Sequence, residues 1–201
     1  MQRTREPAWA GVILAAGASV RMGRPKQLLE VRGRPLVAGA AAAALEAGLW
    51  PVVVVLGAHA DAIRPALARL PVLAVDNPAW SEGMASSIRA GIAALAAYSR
   101  SLPGAVLALC DQPALSGAAL ARLREAAAAG AGGVSAARYG GHLGAPAAFR
   151  AEHFGALKAL TGDGGARPLL QAMGGRVAAI DLPELAADLD TPEDFARLRS
   201  E

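Results

Sequence analysis

The sequence predicts a three-layer α/β domain, in which helices cover both faces of a mostly parallel central sheet. Short apolar runs bounded by Gly and Pro alternate with longer Ala-rich stretches of helical periodicity. Residues 52–56 are all apolar and four of them are Val, as is typical of a strand buried on both faces. Such alternation favours right-handed crossovers between parallel strands. A chain of 201 residues, 54% of them hydrophobic, is long enough for one domain with a substantial core, so residues 1–201 are predicted to form a single domain.

The predicted elements follow this alternation along most of the chain, with two consecutive strands between residues 133 and 149. The predicted strands, each a short apolar run, are Trp9–Ala15, Pro51–Gly57, Val72–Asp76, Ala105–Leu109, Gly133–Arg138, Ala145–Phe149 and Val177–Asp181. The predicted helices, most of them rich in the strong helix former Ala, are Pro35–Ala47, Asp61–Leu70, Gly83–Tyr98, Ser116–Ala129, Ala151–Leu160, Ala166–Met173 and Thr191–Arg199. Ligands of such sheets bind beyond the carboxyl ends of the strands. The loops after Ala15, Asp76 and Leu109 are therefore expected at one mouth.

Positive charge is concentrated in one part of the chain. The whole protein has a net charge of +3, whereas residues 17–34 alone carry +4. The basic residues of this segment, set against the single acid Glu30, are Arg21, Arg24, Lys26, Arg32 and Arg34. So local an excess predicts an anion site rather than a surface that coats nucleic acid.

Cysteine content and hydropathy predict a cytoplasmic protein without a membrane partner. The single cysteine, Cys110, cannot form an internal disulfide, and no uncharged apolar run is long enough to cross a bilayer. Arg3 and Arg5 before "AWAGVILAAGA" faintly resemble a secretory signal, but Glu6 and Pro7 interrupt its charged region. A short tail before the first strand is the better interpretation.

The segment "GASVRMGRPK" after the first predicted strand contains the groups expected of a phosphate-binding loop. Gly17 lets the backbone approach an anion closely, and successive backbone N–H groups in such a turn form an anion-binding concavity. Ser19 can donate a hydroxyl hydrogen bond, Arg21 offers a planar fork and Lys26 a point charge. These cations suit a triphosphate better than a single carboxylate, although basic residues in a loop are often only a solvated surface.

Two well-known phosphate loops are excluded by their spacing. A P-loop ends in Gly-Lys-Ser/Thr, but here Gly23 is followed by Arg24 and Pro25. A dinucleotide fingerprint requires G-x-G-x-x-G, and the residue two positions after Gly17 is Ser19 rather than glycine.

Carboxylates follow buried segments at two distant places. Asp111 comes directly after the apolar run "AVLAL" and Cys110, a buried strand residue; its alternative role is that of a turn former or helix cap. Asp188 and Asp190, separated by Leu189, precede the last predicted helix. A helix-capping role for Asp190 or Thr191 would explain an acid at position 190 but not the one at position 188. Mg²⁺ needs one or two carboxylates together with phosphate oxygens, which these residues could supply.

Several motifs together resemble one enzyme family. "LAAGASVRMGRPKQLL" resembles the L-A-A-G-x-S-x-R-M-G-x-x-K loop of nucleotidyltransferases. With "CDQP", "NPAWSEGMASSIRAG", "GGHLGAPAAF", "GDGGARPLL" and "DLDTPEDF", residues 11–198 resemble the molybdenum cofactor cytidylyltransferases. The resemblance implies a Rossmann-like nucleotidyltransferase fold and transfer of CMP from CTP to the phosphate of molybdopterin, with release of pyrophosphate.

The resemblance also implies roles for individual residues. Lys26 and Arg21 would neutralise the triphosphate, and Asp111 would hold the cofactor Mg²⁺, with Asp188 or Asp190 as a second ligand. The residues expected to bind the nucleotide are Leu14, Ala15, Ala16, Gly17, Ser19, Arg21, Lys26, Asn77, Ser81, Gly83 and Ser86. Ala16 favours CTP, because guanylyl relatives usually have L-A-G-G at this place.

Alternatives remain for the acceptor side and for the reaction. His142, Asp163 and Arg167 are expected to contact the acceptor, although "GDGG" could be an ordinary turn. Ser81 could simply cap a helix, and Gly83 is expected to let the backbone approach a flat base. The enzyme could instead use GTP or another phosphorylated acceptor. A non-catalytic cofactor carrier, or additional transient contact with a client molybdoenzyme or its chaperone, is the remaining alternative.

Overall fold

A computed structural model of the protein describes residues 8–189 and 191–200. The strands are β1 Ala10–Ala15, β2 Glu30–Val31, β3 Arg34–Pro35, β4 Val52–Leu56, β5 Leu73–Asp76, β6 Gly104–Leu109, β7 Val134–Tyr139, β8 His142–Arg150 and β9 Val177–Asp181. The α-helices are α1 Leu36–Glu46, α2 Ala60–Ile63, α3 Met84–Tyr98, α4 Gly117–Ala129, α5 Phe154–Lys158, α6 Arg167–Met173 and α7 Pro192–Ser200.

Seven of the strands form one sheet in the order β5-β4-β1-β6-β8-β7-β9. Every pairing in it is parallel except the two made by β8, with β6 and with β7. The predicted three-layer α/β architecture with a mostly parallel sheet is therefore confirmed. Because β1, β5 and β6 run in the same direction, the loops that follow them emerge at one edge of the sheet, as predicted.

Alternate residues of β4 pack into different apolar layers. Val52, Val54 and Leu56 face the layer that includes α1 and α4, whereas Val53 and Val55 face the layer that includes α3. All five side chains are fully buried, so this strand is covered on both faces, as its unbroken apolar sequence predicts. A third, smaller cluster joins the segment after β1 to the C-terminal part of the chain through Met22, Leu29, Leu36 and Leu189.

Two hairpins were not predicted. β7 and β8 are joined by Gly140 and Gly141, and β2 and β3 by Arg32 and Gly33. All four turn residues have positive φ angles, the geometry of a two-residue turn that matches the twist of an antiparallel pair. Two consecutive strands were predicted here, at Gly133–Arg138 and Ala145–Phe149, but not the turn by which β8 reverses direction immediately after β7.

Two predicted helices are shorter than expected. The segment 61–70 contains three of the four residues of α2, followed by a 3₁₀ turn at Arg64–Leu67. Pro65 lacks the N–H that a continuing α-helix requires, which explains the change. The segment 151–160 divides in the same way into a 3₁₀ turn at Ala151–His153 and the single-turn helix α5. No helix within residues 8–189 and 191–200 is long and apolar enough to cross a membrane.

Candidate active site

Two adjoining cavities open at the carboxyl edge of the sheet. The first, of about 390 Å³, is lined by the end of β1 and the start of the segment that follows it, together with residues 80–84 and the end of β6. The second, of about 360 Å³, lies towards β8 and α6. Both cavities are lined by Leu14, Lys26, Met84, Leu109, Asp111 and Asp163. They therefore form one cleft with two lobes.

Most of the predicted site residues line this cleft. In the first cavity these include Leu14, Ala15, Ala16, Gly17, Lys26, Ser81, Gly83, Asp111 and Asp163. In the second they include Arg21, Lys26, Asp111, Asp163, Arg167 and Asp188. Ser19, Asn77, Ser86 and His142 line neither cavity. Asp190, the alternative metal ligand, lies outside the described residues.

Lys26 and Asp111 meet where the two lobes adjoin. Lys26 Nζ donates a hydrogen bond to Asp111 Oδ2 at 2.5 Å, although the two residues are 85 positions apart in the chain. Lys26 reaches this place from the 3₁₀ turn Lys26–Leu28, and Asp111 lies just beyond the end of β6. Only 15% and 14% of the two side chains is exposed, so the pair is largely shielded from water. Both residues of the pair line both lobes of the cleft.

Asp111 retains an unused acceptor. Its second oxygen, Oδ1, is buried and has no hydrogen-bond partner among the described residues. A buried carboxylate oxygen without a partner is costly, because it has lost water and gained nothing in exchange. A cation or a donor from a ligand would satisfy it. Asp188 lines the second cavity together with Asp111 and Asp163, so carboxylates are available to a divalent metal on its wall.

This donor set fits a metal that is held jointly with a substrate. Among residues 8–189 and 191–200 no group of three or more His, Cys, Asp or Glu side chains could hold a metal alone. Two carboxylates that require phosphate oxygens to complete the coordination shell are typical of Mg²⁺ and similar ions in phosphoryl-transfer sites. Asp111 and Asp188 thus fit such an ion when a nucleotide is bound with it.

The segment 16–26, called the anion loop below, is tied together internally. The Ser19 hydroxyl donates to Gln27 Oε1 at 3.2 Å and accepts from the Lys26 backbone N–H at 3.1 Å. Ser19 itself has a left-handed backbone, with φ of 55°. The hydroxyl expected to contact a ligand therefore holds the two ends of the loop together. Gln27, the residue directly after the loop, accepts one of these bonds, and no role was assigned to it from the sequence.

Asn77 and Ser86 support the wall of the first cavity from behind. Both side chains are buried, and Asn77 Nδ2 donates to Ser86 Oγ at 2.8 Å and to Ser87 Oγ at 3.1 Å. Ser86 Oγ in turn donates to the carbonyl of Gly83 at 2.8 Å. These bonds fix the turn that leads into α3. Two serines of this region, Ser81 and Ser87, line the cavity. Ser81 is one of the predicted site residues.

Gly83 is required for a reason other than the one expected. Its φ is +103°, and a Cβ atom there would lie 2.3 Å from Asp163 Oδ1 and 2.7 Å from the Gly162 carbonyl. The Ala85 N–H also donates to the Gly162 carbonyl at 3.1 Å. The glycine thus lets residues 162–163 pack against the start of α3, and this contact brings Asp163 to the boundary between the two lobes. The "GDGG" turn is a wall of the site.

The second cavity has a mixed-charge wall. Its lining includes two cations, Arg21 and Arg167, a carboxylate acceptor, Asp188, and a hydroxyl donor, Tyr139. Burial raises the pKa of the Tyr139 hydroxyl, and the nearby Asp188 carboxylate adds to the effect. Tyr139 is therefore a neutral donor, and its hydroxyl bonds the Ala145 carbonyl at 2.8 Å. An anionic ligand with polar edges would match these groups.

His142 lies outside this wall. It is exposed at the start of β8, where its ring packs edge-on against Tyr139 and its Nδ1 lies 3.0 Å from the Gly140 carbonyl. Its contact with an acceptor remains a prediction.

Cys110, next to Asp111, is buried. Burial raises the pKa of its thiol, and the negative charge of Asp111 raises it further. The thiol thus stays protonated, so it is a packed side chain and not a nucleophile.

Comparison with known proteins places this cleft in a family context. The model of the MobA-like NTP transferase domain matches residues 11–179. Nicotine blue oxidoreductase of Paenarthrobacter nicotinovorans is 39% identical over 210 residues, which cover 98% of this chain and all of that protein. A nucleotidyl transferase from Methanothermobacter thermautotroptrophicus superimposes with a TM-score of 0.80 at 28% identity, covering 96% of each chain.

Rv0371c from Mycobacterium tuberculosis H37Rv is a further structural relative. Its crystal structure superimposes with a TM-score of 0.80 at 33% identity, covering 96% of this chain and 99% of that chain. A structure of its complex with manganese gives a TM-score of 0.75 over the same shares, at 31% identity. These likenesses confirm the predicted nucleotidyltransferase fold. The chain therefore belongs to the MobA-like NTP transferase domain family.

Proposed function

We propose that the protein transfers CMP from CTP to the phosphate of molybdopterin and releases pyrophosphate. The family and the nucleotidyl transferase among the structural neighbours support a nucleotidyl-transfer enzyme. The observation that carries the proposal is the Lys26–Asp111 pair at the boundary of a two-lobed cleft. A reaction between two phosphate-bearing substrates needs one compartment for each, with the charged groups where they meet.

The first cavity suits the nucleotide. It is lined by Ala16, Gly17 and Ala18 from the anion loop and by residues of the segment 80–84. Small residues allow a triphosphate to approach the main chain, and Lys26, which lines both cavities, can neutralise it. Trp80 and Ser81, which also line this cavity, can offer a flat apolar surface and a hydroxyl for the base.

The second cavity suits the acceptor. Arg167 can bind the acceptor phosphate and direct it towards the boundary where the α-phosphate of the nucleotide would lie. Arg21, expected from the sequence to neutralise the triphosphate, lines this cavity and not the first, so it is proposed to bind the acceptor phosphate instead. A phosphate nucleophile is already ionised at neutral pH, so the reaction requires no general base. The catalytic contribution of the chain is then positioning of the two substrates and neutralisation of charge by Lys26.

Asp111 and Asp188 would hold a divalent cation, Mg²⁺ or Mn²⁺, jointly with phosphate oxygens. When bound, such an ion neutralises charge that develops on the phosphate oxygens during transfer. The complex of Rv0371c with manganese is consistent with a divalent ion in this family. Lys26 can hold Asp111 in place and bind a phosphate oxygen at the same time, because its ammonium group has three N–H donors.

CTP is proposed as the nucleotide on the basis of Ala16. This residue is 5% exposed and lines the first cavity, and a Cβ atom on Gly57 would lie 2.8 Å from Ala16 Cβ and 2.6 Å from its carbonyl oxygen. The methyl group is therefore packed firmly into the wall. The choice of CTP is supported by the resemblance of this L-A-A-G loop to the cytidylyl enzymes, since guanylyl relatives usually have glycine at the position of Ala16.

The direct test is a substrate panel. Purified protein is incubated with each of the four ribonucleoside triphosphates and Mg²⁺ or Mn²⁺, with and without molybdopterin, and pyrophosphate release is measured. The proposal expects release from CTP that depends on both the metal and molybdopterin. Release from GTP alone would transfer the proposal to a guanylyl enzyme. Release dependent on another phosphorylated acceptor would reassign the acceptor.

An oxidoreductase is the second candidate, favoured by the 39% identity to a protein named nicotine blue oxidoreductase. An anion loop that accepts a triphosphate could also accept the pyrophosphate of a reduced nicotinamide dinucleotide. That activity would show as oxidation of the dinucleotide in the presence of a quinone-like dye, with no pyrophosphate released. The orphaned Asp111 Oδ1 favours nucleotidyl transfer, since hydride transfer has no use for a cation there.

A further inference from the structure

The buried side chain of Gln27 holds two carbonyl groups of the chain at the start of the anion loop. Gln27 is 1% exposed, and its Nε2 donates to the Ala15 carbonyl at 3.0 Å and to the Gly17 carbonyl at 2.8 Å. Its Oε1 accepts from the Ser19 hydroxyl at 3.2 Å. The two N–H groups of this amide thus bond two main-chain carbonyls, and its oxygen accepts from the Ser19 hydroxyl.

The two remaining carbonyls of the segment 15–18 are held from the other side by the segment after β4. The Ala16 carbonyl accepts from the Ala58 N–H at 3.1 Å, and the Ala18 carbonyl lies 2.9 Å from His59 Nε2. His59 is therefore a donor through Nε2. All four consecutive carbonyls are bonded to other parts of the protein.

Held carbonyls determine where the N–H groups point. In a planar trans peptide, the C=O of one residue and the N–H of the next point in opposite directions. The bonds to the Ala16, Gly17 and Ala18 carbonyls therefore turn the N–H groups of Gly17, Ala18 and Ser19 away from Gln27 and the segment 57–59. Within the described residues these three N–H groups form no hydrogen bond. Gly17 and Ala18 line the first cavity.

We propose that Gln27 and His59 are positioning residues that orient the peptides of the anion loop for binding of phosphate. This inference rests on the proposed function in one respect, that the loop binds the phosphates of a nucleotide. A peptide that presents its N–H attracts a polyanion, whereas the same peptide turned over presents its carbonyl and repels it. The side chains act through the loop, and neither is assigned a contact with substrate.

The chemistry of position 27 distinguishes an amide from its isosteres. Leucine has a similar size but no donor, so Gln27→Leu would release the Ala15 and Gly17 carbonyls. Glutamate has the same shape but cannot donate when ionised, so Gln27→Glu would place repelling oxygens against both carbonyls and add negative charge beneath the loop. At position 59, His59→Phe removes the donor, whereas His59→Gln keeps an N–H near the Ala18 carbonyl.

The test measures binding of inorganic pyrophosphate and of CTP by calorimetry, at a temperature at which circular dichroism shows each variant folded. Gln27→Leu is expected to raise the Kd for pyrophosphate at least about tenfold, because peptides that are no longer held can turn their carbonyl oxygens towards the anion and repel it. Gln27→Glu is expected to raise this Kd further. His59→Phe should weaken binding similarly, and His59→Gln should restore it to within about threefold of wild type. In turnover, the KM for the nucleotide should rise while the KM for the acceptor stays unchanged.

Folded variants that bind pyrophosphate as the wild type does would overturn the inference and leave the proposed function intact. If Gln27 variants do not fold, the His59→Phe and His59→Gln pair decides between the same two outcomes: equal affinities for pyrophosphate overturn the positioning role, and loss with rescue supports it. A wild-type protein that binds neither pyrophosphate nor any nucleotide would overturn the proposed function, and this inference with it.

Discussion

Lys26 Nζ lies 2.5 Å from Asp111 Oδ2, and the two side chains join the anion loop to the end of β6 across the boundary of the two cavities. The pair neutralises both charges in a place that is largely shielded from water. The other Asp111 oxygen is left without a partner among the described residues. One carboxylate thus holds the lysine with one oxygen and offers the other to a ligand or metal.

Removal of either charge should abolish most of the activity. Asp111→Asn and Lys26→Met are each expected to lower the rate of pyrophosphate release by at least about a hundredfold, because positioned charges supply most of the stabilisation of a phosphoryl-transfer transition state. Glu125→Gln is the matched control, since it makes the same change from acid to amide on the exposed surface of α4. Near wild-type turnover in either site variant would contradict the role of the pair.

Metal dependence should separate Asp111 from Asp188. Chelation should stop turnover, and added Mg²⁺ or Mn²⁺ should restore it, because two carboxylates hold such an ion only together with phosphate oxygens. Electron paramagnetic resonance of Mn²⁺ in the presence of CTP should show loss of bound metal in Asp111→Asn and weaker binding in Asp188→Asn. Equal metal affinity in the wild type and both variants would rule out these two ligands.

Gly83 should tolerate no side chain. A Cβ atom there would collide with Asp163 Oδ1 at 2.3 Å, and its φ of +103° is unfavourable for alanine. Gly83→Ala is expected to lower the free energy of unfolding by about 1 to 3 kcal/mol, as for strained backbone elsewhere, and to displace the wall formed by residues 162–163. Gly39→Ala in α1 is the control, because a Cβ there meets nothing within 4 Å and alanine favours helix. Thermal unfolding of the two variants measures the contrast; equal melting temperatures would contradict it.

The base preference should depend on Ala16. Ala16→Gly removes the methyl group that lies beside Gly57 in the wall of the first cavity, and gives the loop the L-A-G-G sequence that is usual in guanylyl relatives. We expect the ratio of kcat/KM for CTP to that for GTP to fall at least about fivefold, a difference typical of one methyl group in a binding pocket. Ala18→Gly, also on the cavity wall, should change both values together and leave the ratio unaltered. An unchanged ratio in Ala16→Gly would show that another residue selects the base.

The Cys110 thiol should be unreactive in the folded protein. Burial and the Asp111 carboxylate raise its pKa, so the folded state retains the thiol proton at a pH at which the unfolded chain has lost it. This contribution to stability is therefore complete below the ordinary thiol pKa and diminishes as the pH rises above it. Alkylation at mildly alkaline pH should be slow in native protein and fast in denaturant. Rapid alkylation of the native protein would contradict the burial.

The layered core and the place of the anion loop could be predicted from the sequence, because both depend on local patterns. The unbroken Val52–Leu56 run indicated a strand covered on both faces, and the end of β1 at Ala15 marked the beginning of the loop. The β7–β8 hairpin could not be predicted by the same reasoning, because the antiparallel direction of β8 depends on two positive φ angles at Gly140 and Gly141. Two adjacent glycines were the available signal.

The charged residues of the site were also visible in the sequence, whereas their supports were not. Lys26 and Asp111 stood out because charge is unexpected beside buried strands. Gln27 and His59 act through bonds to backbone carbonyls that exist only once the loop is folded. A buried glutamine leaves no periodic pattern, and the link from His59 to Ala18 spans 41 residues of sequence.

Transfer of the nucleotidyl group itself gives the most direct test. CTP labelled with radioactive phosphorus at the α-position is incubated with the protein, molybdopterin and Mg²⁺, and the products are separated. The proposed reaction predicts that the label moves into a pterin dinucleotide in a one-to-one ratio with the pyrophosphate released, and that Asp111→Asn forms almost none. Label that stays in CTP, or that appears only as free CMP while molybdopterin remains unmodified, would contradict the proposed transfer.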